Sequence, residues 1–539
     1  MKIGKLSVIV GVATLAAVLL LIGTVSASGP GTTEGDAGKQ VLTGPAVAAA
    51  TTPIPWEGST SLPPYVGKPA KTHPLPPAKA PQNPFFAPNP FGNAHNDTWM
   101  SDTYDIAGPL GRNPIVWSSN LAAALKPDAK PPYPFQCGLP AFDRYGRIVS
   151  VCSGWEQTTV VLVDPDSLEV LTHLDLPAAG SQAAGLGAGY MVLDSLDRAW
   201  SPIGDKIIVM QQNGAPDNTT FFYTQYDLSS VVPRGDVIGS LLPDYAGRIW
   251  FVVRTIGRIG VFDPATGIAK YFELGNGEQI ANSFAIDGMD AYVVSTKRMY
   301  RLRAGDDNVP YVVWSAGYQN DYPVTPKPGQ LSGGSGTTPT ILDHGNFVAI
   351  ADNAYQTHVV VYRTAERLGP KEDRLVCEAP VFEEGKGAVE DSLVGSGRSL
   401  IVSNNYGYVL NPSTLLAPPT EPGVVRVDID ANGKDCHVVW TNTEVNPGAY
   451  GAKLSTRTGL AYLVARKLDP SRKAPPDYPA GMNVWYWTAI DFRTGETVRE
   501  QLAGTGRWFD AYWQIPYMGP NGALYIPGYG GIFAMWDSR

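Results

Sequence analysis

Eight Gly-centred turns, each leading into a short apolar strand, predict an all-β chain folded as an eight-bladed β-propeller, with seven blades as the alternative. Two further observations point the same way. An Asp-led hairpin falls between several of these turns, and a spare strand ahead of the first repeat matches the strand missing from the last.

The composition suits such a ring. Gly (58) and Pro (47) are abundant and charged residues are only 17%, a balance that favours tight turns and short strands over helices. A net charge of −9, with no basic run beyond Lys5, argues against a nucleic-acid partner. Lys2 and Lys5 precede an apolar stretch from Leu6 to Val25 that ends in Val25-Ser26-Ala27. Residues 1–27 therefore read as a cleaved signal peptide or a retained membrane anchor (residues 6–25), and either one puts the bulk of the chain outside the cytoplasm. The four cysteines are even in number and contain no C-x-x-C, which fits disulfides in a secreted, periplasmic or cell-surface protein.

Residues 28–112 read as a Pro-rich linker and lead-in segment. Twelve prolines fall between Pro53 and Pro90, a density that denies both helix and ladder and predicts a disordered spacer, the alternative being a strap along the domain surface. The propeller is expected over 113–539. Its turns are Arg144-Tyr145-Gly146, Ile203-Gly204-Asp205, Tyr245-Ala246-Gly247, Asp287-Gly288, His344-Gly345, Ser396-Gly397, Thr458-Gly459 and Asn521-Gly522. Each hands the chain to a run such as Ile249-Trp250-Phe251 or Leu400-Ile401-Val402, and Gly supplies the positive φ that a tight hairpin needs.

The second hairpin appears as Asp164-Pro165-Asp166, Asp263-Pro264-Ala265-Thr266-Gly267, Asp428 to Gly433 and Asp491-Phe492-Arg493-Thr494-Gly495, where Asp accepts from backbone N–H groups two residues on. Two hairpins per repeat make a four-stranded blade. Outer strands read Val312-Val313-Trp314-Ser315 and Val438-Val439-Trp440-Thr441; the same pattern, Ile115-Val116-Trp117-Ser118, precedes the first repeat. The last repeat ends after three strands at Gly531 to Trp536, so the N-terminal strand is expected to complete it and leave no sheet edge.

Ala489-Ile490-Asp491-Phe492-Arg493-Thr494-Gly495-Glu496 resembles the Ala-x-Asp-x-x-Thr-Gly repeat of the quinoprotein alcohol dehydrogenase-like (PQQ-like) propeller superfamily, with Arg499 where that family docks Trp. The resemblance implies the ring for residues 113–539 and brings in, as a functional alternative, an oxidoreductase using PQQ and Ca²⁺. The adjacent cysteines of the quinoprotein dehydrogenases are missing, as is a C-x-x-C-H haem site. The superfamily also holds non-catalytic scaffolds, so activity does not follow from fold.

Loops entering the innermost strand and leaving the second strand share one face of a propeller. That face is expected to gather Thr337, Thr338, Asp352, Asn353, Glu390, Asp391, Asn404 and Asn405, with Gln211, Gln212 and Asn213. Hard oxygens near a channel mouth suit Ca²⁺ or sugar hydroxyls. The expected set is a Ca²⁺-type ion on Asp352, Glu390 and Asn405, with Asn353, Asn404 and Gln212 on ligand; Asp and Asn ending strands as turn formers are the bland reading. His95-Asn96-Asp97 with Asp102 and Asp105 is expected to be a solvated loop rather than a metal cluster. Lys453, Arg466 and Lys467 read as solvated charge, and His358 and His437 as packing residues. Asn96 and Asn218 open glycosylation sequons. Cys137 and Cys152 flank the Gly146 turn and should form a disulfide; a Cys377–Cys436 bridge between consecutive repeats is less expected.

The functional expectation is an exported or membrane-anchored propeller that binds a small molecule, a glycan or an envelope protein without catalysis. The alternatives are the PQQ/Ca²⁺-dependent oxidoreductase and a metal-dependent lactonase-type hydrolase.

Overall fold

The computed structural model describes residues 34–36, 38–43, 48–77, 80–127, 135–154, 157–176, 190–212, 221–409, 418, 420–472 and 481–538. The signal or anchor segment, Asn213 and Asn218 lie outside them. Among the described residues no helix is long and apolar enough to cross a membrane.

Eight sheets, each built on four antiparallel strands that in seven of them follow in sequence order, make an eight-bladed propeller. Blade 1 runs from Phe135–Phe142 to Val170–Leu176, and blade 2 from Val192–Leu193 to Phe221–Asp227. Blade 3 runs from Ile238–Pro243 to Ile268–Glu273, blade 4 from Ala285–Asp287 to Pro310–Gly317, and blade 5 from Thr340–Leu342 to Leu375–Pro380. Blade 6 spans Val394–Ser396 to Cys436–Asn442, and blade 7 Lys453–Ser455 to Thr497–Thr505. Blade 8 takes Tyr517–Met518, Leu524–Gly528 and Gly531–Asp537 from the C-terminus and Pro114–Ser119 from the N-terminal side, in register Met535↔Val116 and Ala534↔Trp117.

Second strands such as Ile249–Val253, Asp290–Val294 and Phe347–Ala351 are buried at every residue, because neighbouring blades cover both faces. This is why they read as continuous apolar runs rather than alternating ones. Outer strands face solvent on one side, and Cys436–Asn442 is largely exposed or half-buried. An outer-strand tryptophan ties each of three blades to the next: Trp314 Nε1–H donates to Thr364 O, Trp440 to Phe492 O and Trp117 to Ser167 O.

The first turns of blades 1, 2 and 3 share one device. Asp143, Asp194 and Asp244 each accept from the backbone N–H two and four residues on and from the guanidinium of Arg147, Arg198 or Arg248. In blades 2 and 3 the indoles of Trp200 and Trp250 also donate to that Asp. Gly204, expected at a first turn, instead joins the second and third strands of blade 2. The true first turn there places Asp197 at φ 66°, where the other two have Gly.

Residues 48–77 and 80–112 do not form the disordered linker expected from their prolines. Ile54, Ala70 and Phe86 are buried in the propeller's apolar clusters. Pro forbids the ladder, but backbone carbonyls and side chains remain free to bond, and this segment uses them. Inner-strand N–H groups of Phe142, Leu193, Ile286, Ile341, Gly395 and Leu454 donate to the carbonyls of Phe91, Gly92, Thr98, Trp99, Ser101 and Asp102. Asn83 adds a bond to Pro243 of blade 3. The strap thus crosses the inner strands blade by blade, at the end where each turns into its second strand: Trp99 Nε1–H meets Asp287 at 3.0 Å.

The sulfurs of Cys137 and Cys152, opposite one another in blade 1, are joined, and a second disulfide links Cys377 and Cys436 in the outer strands of blades 5 and 6. Two disulfides fit an oxidising, extracytoplasmic compartment.

Candidate functional site

Beside the strap, the loops entering the inner strands and leaving the second strands supply a cluster of buried carboxyls. Glu390 and Asp391 sit just before the inner strand of blade 6. Glu390 Oε2 accepts from Leu331 N–H at 3.1 Å, while its Oε1, buried, has no partner among the described residues. Burial pushes the Glu390 carboxyl well above its ordinary value; the Leu331 N–H opposes this and the neighbouring Asp391 charge adds to it. Asp391 is pushed up to about 8, again by burial, against a hydrogen bond from Asn405 Nδ2 at 2.8 Å.

An aromatic group borders the same mouth. Tyr408 lies 5.0 Å from Trp513 and Tyr512 lies 5.7 Å from Tyr529 between ring centroids. Tyr512 and Trp513 occupy φ 42° and 63°, a region that bulky residues rarely adopt and that is held only where surroundings over-determine it. Tyr408 donates to Asp510 Oδ1 at 2.9 Å; Asp510 Oδ2 is buried and unpartnered among the described residues. Burial raises the Asp510 carboxyl, opposed by Arg466.

The strap supplies the floor. His95, Asn96, Asp97 and Asp102, expected in a solvated loop, are all buried. Lys453, from the inner strand of blade 7 and fully buried, donates to Asp102, to Asn96 Oδ1 and to Ala94 O. Burial alone would raise Asp102, but the Lys453 charge and the hydrogen bonds from His95 and Lys453 more than offset it and hold the carboxyl below its usual value. Asp97 is pushed up to about 6 by burial, against hydrogen bonds from Ser101. Asn96 is too buried to be a glycosylation site in the folded chain.

The sequence-expected residues divide between ligand face and loop framework. Asp352 caps its own loop: its oxygens take the backbone N–H of Ala354 and His358 and the ring of His358 at 2.7 Å. Asn405 Oδ1 takes the Glu390 N–H at 2.9 Å, and its Nδ2 donates to Asp391 and Gly448 O. Lone pairs turned to N–H groups are withdrawn from a cation, so of the expected Ca²⁺ trio only Glu390 keeps a carboxyl oxygen without a partner. Asn404 has both ends bonded to loop backbone, at Ala388 and Tyr406 and at Lys386 and Pro422. Asn353 Nδ2 holds Asn320 at 2.9 Å, and its buried Oδ1 is unpartnered among the described residues. Gln212 belongs to the strand Lys206–Gln212, and its side chain lies outside the described residues. No group of three or more His, Cys, Asp or Glu able to hold a metal occurs among the described residues.

Further expectations change. Arg466 is buried and donates to Asn483 Oδ1 and Pro418 O. Lys467 pairs with Glu500. His437 is exposed and pairs with Asp430 rather than packing. Ser392, Tyr190, Tyr512, Trp513 and Asp510 were not singled out by sequence; the only available signal was the aromatic run Tyr512-Trp513 before an inner strand.

No protein-family model and no curated protein sequence matches the chain. Similar solved structures are β-propeller proteins. They include dihydro-heme d1 dehydrogenase NirN in complex with DHE (12% identity, 70% of this chain and 68% of that one, TM-score 0.42). A putative 6-phosphogluconolactonase from Bacteroides uniformis aligns at 11% identity over 66% of this chain and 94% of that one, TM-score 0.38. Virginiamycin B lyase from Staphylococcus aureus aligns at 9% identity over 61% and 91%, TM-score 0.37.

Proposed function

We propose that this protein is an extracytoplasmic propeller that binds a small, neutral, hydroxyl-rich molecule of the sugar type in its axial channel. One observation carries the reading: Glu390, in the loop entering the inner strand of blade 6, keeps a buried carboxyl oxygen without a partner among the described residues. A buried polar atom without a partner is costly, and a ligand hydroxyl would satisfy it. Burial favours the protonated form of the Glu390 and Asp391 carboxyls, and a protonated carboxyl can both donate to and accept from hydroxyls. Tyr512 and Trp513 supply the apolar rings on which a sugar's C–H face rests.

The test is calorimetric titration of the full chain with a panel of neutral mono- and disaccharides, organic amines and CaCl₂. Binding of a neutral sugar that falls at least tenfold in Glu390→Ala and persists in Lys467→Ala supports the reading. Binding confined to amines or Ca²⁺, or sugar binding indifferent to Glu390, overturns it.

A further inference from the structure

We propose that Ser392, His95 and Asp102 form a nucleophile–base–carboxylate triad in the channel and that the protein hydrolyses an ester or lactone bound there. The inference rests on the channel being the ligand site proposed above. It goes beyond that reading by assigning a reaction.

The geometry is a linear relay. Ser392 Oγ lies 3.4 Å from His95 Nε2, and His95 Nδ1 lies 3.2 and 3.3 Å from the two oxygens of Asp102. A carboxylate can only accept, so Nδ1 carries the ring proton toward Asp102 and Nε2 is the acceptor that faces the serine hydroxyl. The tautomer required of a general base is therefore set by Asp102. A serine–base separation of this length tightens when substrate orders the site. The ring of Tyr190, with centroid 5.7 Å from that of His95, braces the imidazole from the side.

Each member is held from a different direction. His95 N–H is fixed by Asn93 Oδ1 at 2.9 Å. Asp102 is held by Lys453 and sits at φ 56°, a left-handed conformation that aims its carboxylate back at the ring. Ser392 comes from the loop before the inner strand of blade 6, nearly 300 residues later in the chain. A histidine needed only for packing would call for no hydroxyl at Nε2 and no carboxylate at Nδ1, since an apolar residue would fill the same space without burying polar groups. The Nδ2 of Asn96 and the hydroxyl of Tyr517, both buried beside Lys453, are donors without a partner among the described residues.

The chemistry balances without a co-reactant other than water. Ser392 Oγ attacks the carbonyl carbon and forms a C–O bond while His95 Nε2 takes the hydroxyl proton. Collapse breaks the bond to the leaving alkoxide, which receives that proton from His95. Water then attacks the acyl-serine with His95 again as base, releasing the carboxylic acid and restoring the serine. In a lactone the leaving alkoxide remains tethered to the same molecule.

The experiment treats the full chain with a fluorophosphonate probe and maps the labelled peptide by mass spectrometry. In parallel, hydrolysis of p-nitrophenyl acetate and of glucono-δ-lactone is followed. Labelling is expected on Ser392, absent in Ser392→Ala and reduced at least 100-fold in His95→Gln, with each variant's fold checked by near-ultraviolet circular dichroism. If a variant fails to fold, the labelled peptide of the parent protein decides alone. Unlabelled Ser392 in folded protein, beside a reference serine hydrolase that labels in the same tube, overturns the inference, as does labelling unchanged in His95→Gln. Calorimetry of the parent protein keeps the two readings apart: sugar binding by a parent whose Ser392 does not label removes the hydrolase alone, and labelling of a parent that binds no sugar removes the ligand proposal alone.

Discussion

The indole N–H of Trp117 donates to the carbonyl of Ser167 at 3.0 Å, joining the strand that closes blade 8 to a hairpin of blade 1. Trp314 and Trp440 make the same bond from blade 4 to blade 5 and from blade 6 to blade 7. The N-terminal strand is therefore held as an outer strand like any other, although it is supplied from the far end of the chain. Replacing residues 114–119 by a Gly-Ser stretch should uncover the ladder edge of Gly531–Asp537 and produce oligomers in light scattering. Trp117→Ala alone, which removes a half-exposed contact and one hydrogen bond, should cost only about 1 kcal/mol. If the replaced chain stays monomeric and melts with the parent, closure by this strand contributes nothing to the ring.

Lys453 and Asp102 bind the strap to blade 7 through a fully buried ion pair. Removing one partner leaves the other charge buried without compensation, so Lys453→Met should lower unfolding free energy by about 3–5 kcal/mol. Adding Asp102→Asn should restore part of it, because the stranded charge is gone. Urea denaturation of the two single variants and the double variant measures the coupling. Strictly additive losses would mean that the pair does not act as a unit.

How far these relationships could be read from sequence depends on their range. The blade strands were legible because burial on both faces demands apolar runs like Ile249–Val253, and the closing strand because Ile115 to Ser118 repeats an outer-strand pattern. The Gly146 hairpin brings Cys137 and Cys152 opposite each other locally, so that disulfide was legible too. The first turn of blade 2 was missed because Asp197 does the work of Gly. The strap stood only as the alternative to a disordered spacer, because proline density reports only on ladders. The burial of His95 and Asp102 depends on Lys453 and Ser392, each about 300 residues or more away in sequence. Asp352 shows the reverse error, since an Asp that caps its own loop looks in sequence like one that binds a metal.

The two disulfides should differ in weight. Cys137–Cys152 closes a separation of 15 residues within one hairpin, whereas Cys377–Cys436 closes 59 and staples two blades at their outer edges. By the chain-entropy account the first stabilises by about 3 kcal/mol and the second by about 4 kcal/mol. Cys377→Ser with Cys436→Ser should therefore melt below Cys137→Ser with Cys152→Ser. Differential scanning calorimetry of the two double variants, with peptide mapping of the unreduced parent, checks this. Alkylation of either pair in the untreated folded protein would remove that bridge from the account.

Asp391 makes stability depend on pH in a direction opposite to that of an ordinary surface carboxylate. Burial pushes its folded carboxyl up to about 8, against an ordinary value of 3.8. Between those values the folded chain keeps a proton that the unfolded chain has released. Unfolding then releases protons, and stability falls as pH rises through the window, levelling off only above the folded value. Asp97, raised to about 6, has the same sign over the lower part of the window, and Glu390 is shifted in the same direction. Asp102 is lowered and acts oppositely, its contribution being lost in acid. Asp391→Asn keeps an oxygen for Asn405 Nδ2 but carries no proton to lose, so it should flatten the slope between pH 5 and pH 8 and overtake the parent at the alkaline end. Urea midpoints of both proteins at half-unit steps measure it. Parallel curves for parent and variant would mean that Asp391 is solvated and ionised in the folded chain, and the neutral-acid face proposed for the sugar ligand would lose one of its two carboxyls.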